Sequence, residues 1–301
     1  MRMRVSGVLA IVGMAGAPWL PAQERDWSKV EVVPQKVTEG IYMITGAGGN
    51  LGVAVGPDGV FLIDDQYAPL THKIKAAIAT VSDKPVRFVL NTHWHGDHTG
   101  GNENLGLAGA LIVAHDNVRV RMSVEQFIEA FGQKVPAAPK VALPVVTFND
   151  AVTFHLNDQE IHAFHVAPAH TDGDAVIHFR KADVIHAGDV FFNGLYPFID
   201  VGSGGGLEGT IAAAERILAL CGEKTKLIPG HGPLAGKADL VAYRDMLVGI
   251  RNQVKPLVAA GKTLAEVQAA KPTAAFDEKW GKGFLKPEQF AAIAYASLKK
   301  K

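Results

Sequence analysis

The sequence predicts a layered α/β protein made of two units, each of strands followed by helix and strand, packed sheet to sheet. Three observations point there. Short β-type runs bounded by turn residues recur in both halves, segments of helical spacing follow them, and nothing resembling a linker separates the halves. With 301 residues and 48% hydrophobic side chains, a sizeable core is available.

The elements follow in chain order. Residues 1–22 read as an export signal. Arg2 and Arg4 give a positive start, residues 5–16 are small and aliphatic, and Pro18 and Pro21 break the pattern before Ala22. The apolar run is short for a membrane span. Cleavage before Gln23 is therefore expected, leaving a periplasmic or secreted chain with no membrane anchor. Strands are expected at 40–44, 51–55 and 60–63, with Gly56-Pro57-Asp58-Gly59 as the turn between the last two. Residues 71–81 have helical spacing, with Ile74, Ile78 and Val81 on one face. Strands at 86–90 and 110–114 follow. Val124, Phe127, Ile128 and Phe131 are spaced as one face of a helix, and 134–144, with three prolines, reads as a loop over one edge. The second half repeats the theme with strands at 151–155, 160–166, 175–179 and 184–187. A helix at 207–220, a strand at 226–228 and a long helix at 238–258 complete it. From Gly261 the chain is helical, with Thr263 and Glu266 placed as a capping box and Pro287-Glu288 opening a last helix.

Charge narrows the function. Lys plus Arg equals Asp plus Glu at 30 each. A nucleic-acid binder would show a basic excess, so a small-molecule substrate is the expected partner. Cys221 is the only cysteine, which rules out an intramolecular disulfide and an all-cysteine zinc site. Its flanks suggest a small buried hydrophobe.

The segment His93-Trp94-His95-Gly96-Asp97-His98 follows the strand ending at Leu90. In extended chain His93 and His95 point the same way, because side-chain direction repeats every two residues. Two imidazoles so placed can grip one metal ion. Gly96 lets the chain turn, and Asp97 and His98 can then reach a second. Three histidines and an aspartate in six residues are poorly explained as a chance surface loop.

This segment resembles the His-x-His-x-Asp-His signature of the metallo-β-lactamase superfamily. Three further pieces match in order: His170 in Ala169-His170-Thr171-Asp172-Gly173-Asp174, Asp189 in His186-Ala187-Gly188-Asp189, and His231 in Pro229-Gly230-His231-Gly232. The resemblance implies a four-layer αββα sandwich with a C-terminal helical tail. Its catalytic domain would span 23–260, and 261–301 would be an extension packed on the same domain. It also implies two zinc ions per chain. One would be held by His93, His95 and His170, the other by Asp97, His98 and His231, with Asp189 bridging them. Asp97 would further steer the attacking hydroxide or a proton. Asp64 matches a position that orients a zinc-bound histidine, and a plain turn-capping role for it stays open. The other histidines, His72, His115, His155, His162, His165, His178 and His186, are expected to pack rather than ligate.

On this resemblance the chain is expected to be an exported di-zinc hydrolase in which a zinc-bound hydroxide opens a cyclic amide or ester. Export favours β-lactams as the leading substrate class. The aspartate at 189, where secreted β-lactamases carry Cys or no ligand, points instead toward lactonases and thioesterases of the glyoxalase II type. Phe191 and Phe192 stand where lactonases carry Tyr. A one-iron persulfide dioxygenase and a non-catalytic zinc-binding protein are the readings from other classes.

Overall fold

Two β-meanders, each turning parallel at its far side, frame the molecule. The computed structural model describes residues 26–166 and 168–299. The expected export signal therefore lies outside the described residues. Residues 1–30 and 31–301 separate as two units. The described part of the first holds a 3-10 turn, Trp27–Lys29, whose Ser28 N–H donates to Asp26.

In the second unit, one sheet begins with β1 (Val33–Thr38), β2 (Ile41–Thr45), β3 (Leu51–Ala54) and β4 (Val60–Ile63), all antiparallel. β5 (Val86–Leu90), β6 (Leu111–His115) and β9 (Val146–Phe148) then add in parallel. A small hairpin, β7 (Gln126–Ile128) with β8 (Gln133–Val135), stands apart. The second sheet runs β10 (Ala151–Leu156), β11 (Gln159–His165), β12 (Ala175–Phe179), β13 (Val184–Phe192), β14 (Lys226–His231) and β15 (Ala235–Gly236). Here only β13 and β14 are parallel.

Strand alternation explains how the layers meet. Ile161 and Ala163 of β11 face Phe61, Ile63, Leu90 and Val113 of the first sheet, while Phe164, next along the strand, faces the helices. Over the first sheet lie α1 (Thr71–Ala79), α2 (Gly96–Thr99), α3 (Asn102–Leu107) and α4 (Asp116–Met122). Over the second lie α5 (Leu207–Leu220) and α6 (Lys237–Ala259), followed by α7 (Leu264–Ala269), α8 (Asp277–Trp280) and α9 (Pro287–Lys299). The result is an αββα sandwich whose C-terminal helices thicken one outer layer.

The helix expected around 124–131 is absent. That stretch is β7 followed by a 3-10 turn, Glu129–Phe131, and Gly132 in left-handed conformation closes it into the hairpin. Phe127 points outward while Ile128 is buried. Helical spacing of apolar residues arose here from a strand and a tight turn in succession. Residues 134–144 are less irregular than expected, contributing β8 and a 3-10 turn, Lys140–Ala142. β1 was not anticipated. It is an edge strand carrying Pro34 and Lys36, a composition that hides its period.

The tail is anchored at Tyr196. The Tyr196 hydroxyl donates to Asp277 (2.8 Å) and to the Thr273 carbonyl (3.3 Å), and its ring stacks on Phe290 at 4.8 Å. Glu266 accepts from the Thr263 N–H at 2.8 Å while Thr263 caps α7 in return, completing the capping box. Phe290 is fully buried. We predict that Phe290→Ala lowers unfolding stability by about 3–5 kcal/mol. Urea unfolding of the full chain checks this; a loss under about 1 kcal/mol would mean the tail is not part of the core.

Candidate metal centre

The site lies beyond the C-terminal ends of the parallel strands, where open α/β sheets place ligands. Asp64 follows β4, the His93–His98 segment follows β5, His170 lies between β11 and β12, Asp189 lies within strand β13, and His231 ends β14. Three loops and the ends of two strands thus converge at one end of the sandwich.

The ligating atoms form three overlapping groups, each with all atoms within 4.8 Å of one another: His93, His95 and His170; His93, His98 and Asp189; Asp97, His98 and His231. His93 and His98 each belong to two of them, and Asp189 lies against four of the imidazoles. Its Oδ2 lies 3.8 Å from His93 Nε2, 3.5 Å from His170 Nε2 and 3.4 Å from His231 Nε2, and its Oδ1 lies 3.1 Å from His98 Nε2. Asp97 Oδ2 is 3.4 Å from His231 Nε2 and 3.6 Å from His98 Nε2. Among the described residues, none of the seven other histidines joins these groups. His186 instead faces the Asn50 carbonyl at 3.0 Å, and His115 stacks on His165.

Four of the five rings have the far nitrogen tied down, so the near nitrogen is the one presented to the centre. His98 Nδ1 lies 2.7 Å from Asp64 Oδ2, and His93 Nδ1 lies 3.0 Å from Thr92 Oγ1. His170 Nδ1 donates to the Phe198 carbonyl (2.7 Å), and His95 Nε2 lies 3.0 Å from Asp200 Oδ2. Asp64 also accepts from the Thr92 N–H and hydroxyl, both at 2.7 Å. It does so from left-handed backbone, φ 58°, which costs an aspartate on the order of 1 kcal/mol. Its neighbour Asp65 has a separate task, accepting from the Gly101 N–H at 2.8 Å.

The arrangement fits metal ions. His93 Nε2, His98 Nε2 and Asp189 Oδ1 are buried and make no hydrogen bond. Leaving such atoms unsatisfied costs about 1–3 kcal/mol each, a cost a metal ion would remove. Tetrahedral ligands bonded at about 2.0–2.1 Å stand about 3.3 Å apart, within the span of the separations seen here. Close backbone approach is part of the design. A Cβ on Gly49 would collide with the His98 ring, and one on Gly230 with Asp189 Oδ1.

A model of the metallo-beta-lactamase superfamily matches residues 44–231. The chain belongs to the metallo-β-lactamase superfamily. The chain is 31% identical to a hydroxyacylglutathione hydrolase of a Polaromonas species over 208 residues, 66% of this chain and 71% of that protein. It is 28% identical to a hydroxyacylglutathione hydrolase of Maricaulis maris over 241 residues, 70% of this chain and 82% of that protein. Among solved structures, a metallo-beta-lactamase from Pontibacter korlensis superposes with a TM-score of 0.60 at 19% identity, covering 72% of this chain and 99% of that one. That last likeness is one of fold.

Within this superfamily member, the electrostatics set donors against acceptors. Burial pushes His93 well below the usual imidazole range, with His98 and His170 adding to the effect. Burial likewise takes His170 down to about 4. Burial opposes the charge on Asp189, yet His98, His231, His93 and His170 hold it well below the usual carboxylate range. Burial also disfavours a charged His231, but Asp189 and Asp97 raise it to about 9. The centre is thus a pair of carboxylates built to face positive charge.

Sequence reasoning missed three supports. Asp200 lies 105 residues from His95 and carries no local signature. Asn50 Nδ2 donates to the carbonyls of Pro229 (2.9 Å) and Gly232 (2.8 Å), fixing the His231 loop. Gln66 donates to the Gly49 carbonyl at 2.6 Å, holding the glycine loop against His98. For Asp200 a test is direct. We predict that Asp200→Asn weakens metal affinity by about 10–100-fold, because the ring of His95 loses its charged partner. Chelator competition measures this; an unchanged affinity would show that the contact orients nothing.

Proposed function

We propose that this chain is a hydrolase that holds two zinc ions and cleaves a thioester, releasing a carboxylate and a thiol. The observation that carries the reading is Asp189, whose two oxygens face His98 on one side and His93, His170 and His231 on the other. A carboxylate so placed can bridge two cations. His93, His95 and His170 would hold one ion, and Asp97, His98 and His231 the other. The thioester preference rests on hydroxyacylglutathione hydrolases among its relatives and on Asp rather than Cys at 189. Both support this class over the β-lactams, whose case came from expected export.

Bound there, zinc ions supply Lewis acidity to the acyl oxygen and make water nucleophilic near neutral pH. The chain does the rest. The water oxygen bonds to the acyl carbon as the C–S bond breaks, and sulfur leaves with the bonding pair. Asp97, with 24% of its side chain exposed, steers the water and relays one of its protons to the departing thiolate, and the second is lost to solvent as the acid product ionises to the carboxylate. Cys221 has no part in this, since burial pushes its thiol up to about 11. The small-molecule partner follows from the neutral charge balance. Among the described residues no helix is long and apolar enough to cross a membrane. Export, with cleavage before Gln23, belongs to the same reading.

Metal analysis and a panel of chromogenic thioester, lactone, β-lactam and phosphodiester substrates test it. Two zinc ions per chain and fastest turnover of thioesters are expected. Asp189→Asn keeps the shape but removes the charge, so it should lose zinc and at least about 100-fold in rate while the fold persists. Full zinc content with a near-normal rate in this variant would refute the bridge. One iron per chain with oxygen uptake would refute the hydrolase.

A further inference from the structure

Aromatic rings form a continuous run across one side of the centre. Phe131 packs on Phe198 at 4.7 Å between centroids. Phe198 stacks along His95 at 5.7 Å and meets His170 edge-on at 5.8 Å. His170 is 6.3 Å from Phe192, which stacks on His231 at 4.9 Å and reaches Phe284 at 6.2 Å. Phe192 and Phe198 are buried and serve as the floor. The two ends of the run come from segments that add nothing to the metal ligands: Phe131 from the β7–β8 hairpin and Phe284 from the tail, beyond the matched residues 44–231.

Phe284 is 37% exposed, but its backbone is held. The Tyr196 N–H donates to the Trp280 carbonyl at 3.0 Å, and Leu285 beside it is buried. Gly283 lies so close to Leu195 that a Cβ there would stand 2.7 Å from a methyl of that leucine. An exposed phenyl ring, fixed in place and continuous with the rings that back the ligands, is a means of recognising apolar surface.

We propose that Phe284 is a specificity-determining residue that receives an extended apolar acyl group, so that the substrate is an aryl- or alkyl-acyl thioester. This rests on the thioester reading above and names its acyl half. Both ends of the run are unsubstituted rings, which offer contact area and no hydrogen bond to a polar acyl chain.

The test compares acetyl, butyryl, hexanoyl and 4-phenylbutyryl esters of one chromogenic thiol. The wild-type chain should favour 4-phenylbutyryl over acetyl in kcat/KM by about tenfold or more. Phe284→Ala should reduce that preference about tenfold, through KM rather than kcat, and Phe284→Leu should restore part of it. Phe127→Ala, on the outward face of the same hairpin as Phe131, should leave the preference in place. An undiminished preference in Phe284→Ala, with zinc content and melting temperature unaltered, would overturn the proposal while leaving the thioester reading intact. If no thioester is turned over, that reading fails, and titration calorimetry of 4-phenylbutyrate against acetate on the zinc-loaded chain decides the matter. Tighter binding of phenylbutyrate that is lost in Phe284→Ala supports the aromatic subsite; equal or no binding overturns it.

Discussion

A buried carboxylate surrounded by four imidazoles is the constraint on which the rest of this molecule depends. Burial opposes a charge on Asp189, 5% exposed, yet His98, His231, His93 and His170 crowd it and hold it well below the usual carboxylate range. Those rings reach it from loops after three different strands, so the relative placement of the two sheets is set to within the tolerance of a contact between side chains. The parallel pairing of β4 with β5 and of β13 with β14 aims the loops at the same end. The sheet-to-sheet core of Ile41, Phe61, Ile63, Ile161, Ile177 and Val184 holds those ends in register. Apolar packing supplies the stability, and the charged cluster spends part of it on a fixed geometry.

What was readable in the sequence divides along sequence distance. His93, His95, Asp97 and His98 are neighbours whose types and spacing announce metal chemistry directly, and the apolar runs of β4, β6 and β12 announce buried strands. The remaining donors, His170, Asp189 and His231, stood out because they match an ordered pattern. The supports did not stand out. Asp200 is one aspartate among many until folding brings it to His95, and nothing beside Asn50 or Gln66 hints that their amides tie loops together. The hairpin at 126–135 misled for a different reason. Val124, Phe127, Ile128 and Phe131 carry a helical period, but Gly132 at φ 60° breaks the chain there, and only tertiary packing decides which signal prevails.

The two halves of the centre differ in surroundings. His93, His95 and His170 are nearly sealed from solvent, backed by Phe198, whereas Asp97 and His231 are about a quarter exposed. A ligand therefore enters from the Asp97 side, and a charged or leaving group is better tolerated there than against the aromatic floor. The site thus has a sealed side at His93, His95 and His170 and a more open side at Asp97 and His231.

The docking of the tail on Tyr196 has a consequence for how the protein is made. Residues 196–200 carry Tyr196, the Phe198 carbonyl that fixes His170 and the Asp200 carboxylate that fixes His95, and the first of these is clamped by Thr273, Asp277 and Phe290. During synthesis, His93, His95 and His170 leave the ribosome well before the clamp does. The orientation of the His95 and His170 rings thus depends on contacts that close only once the C-terminal helices are in place. The geometry of the centre is accordingly tied to residues at the far end of the chain from its first ligands.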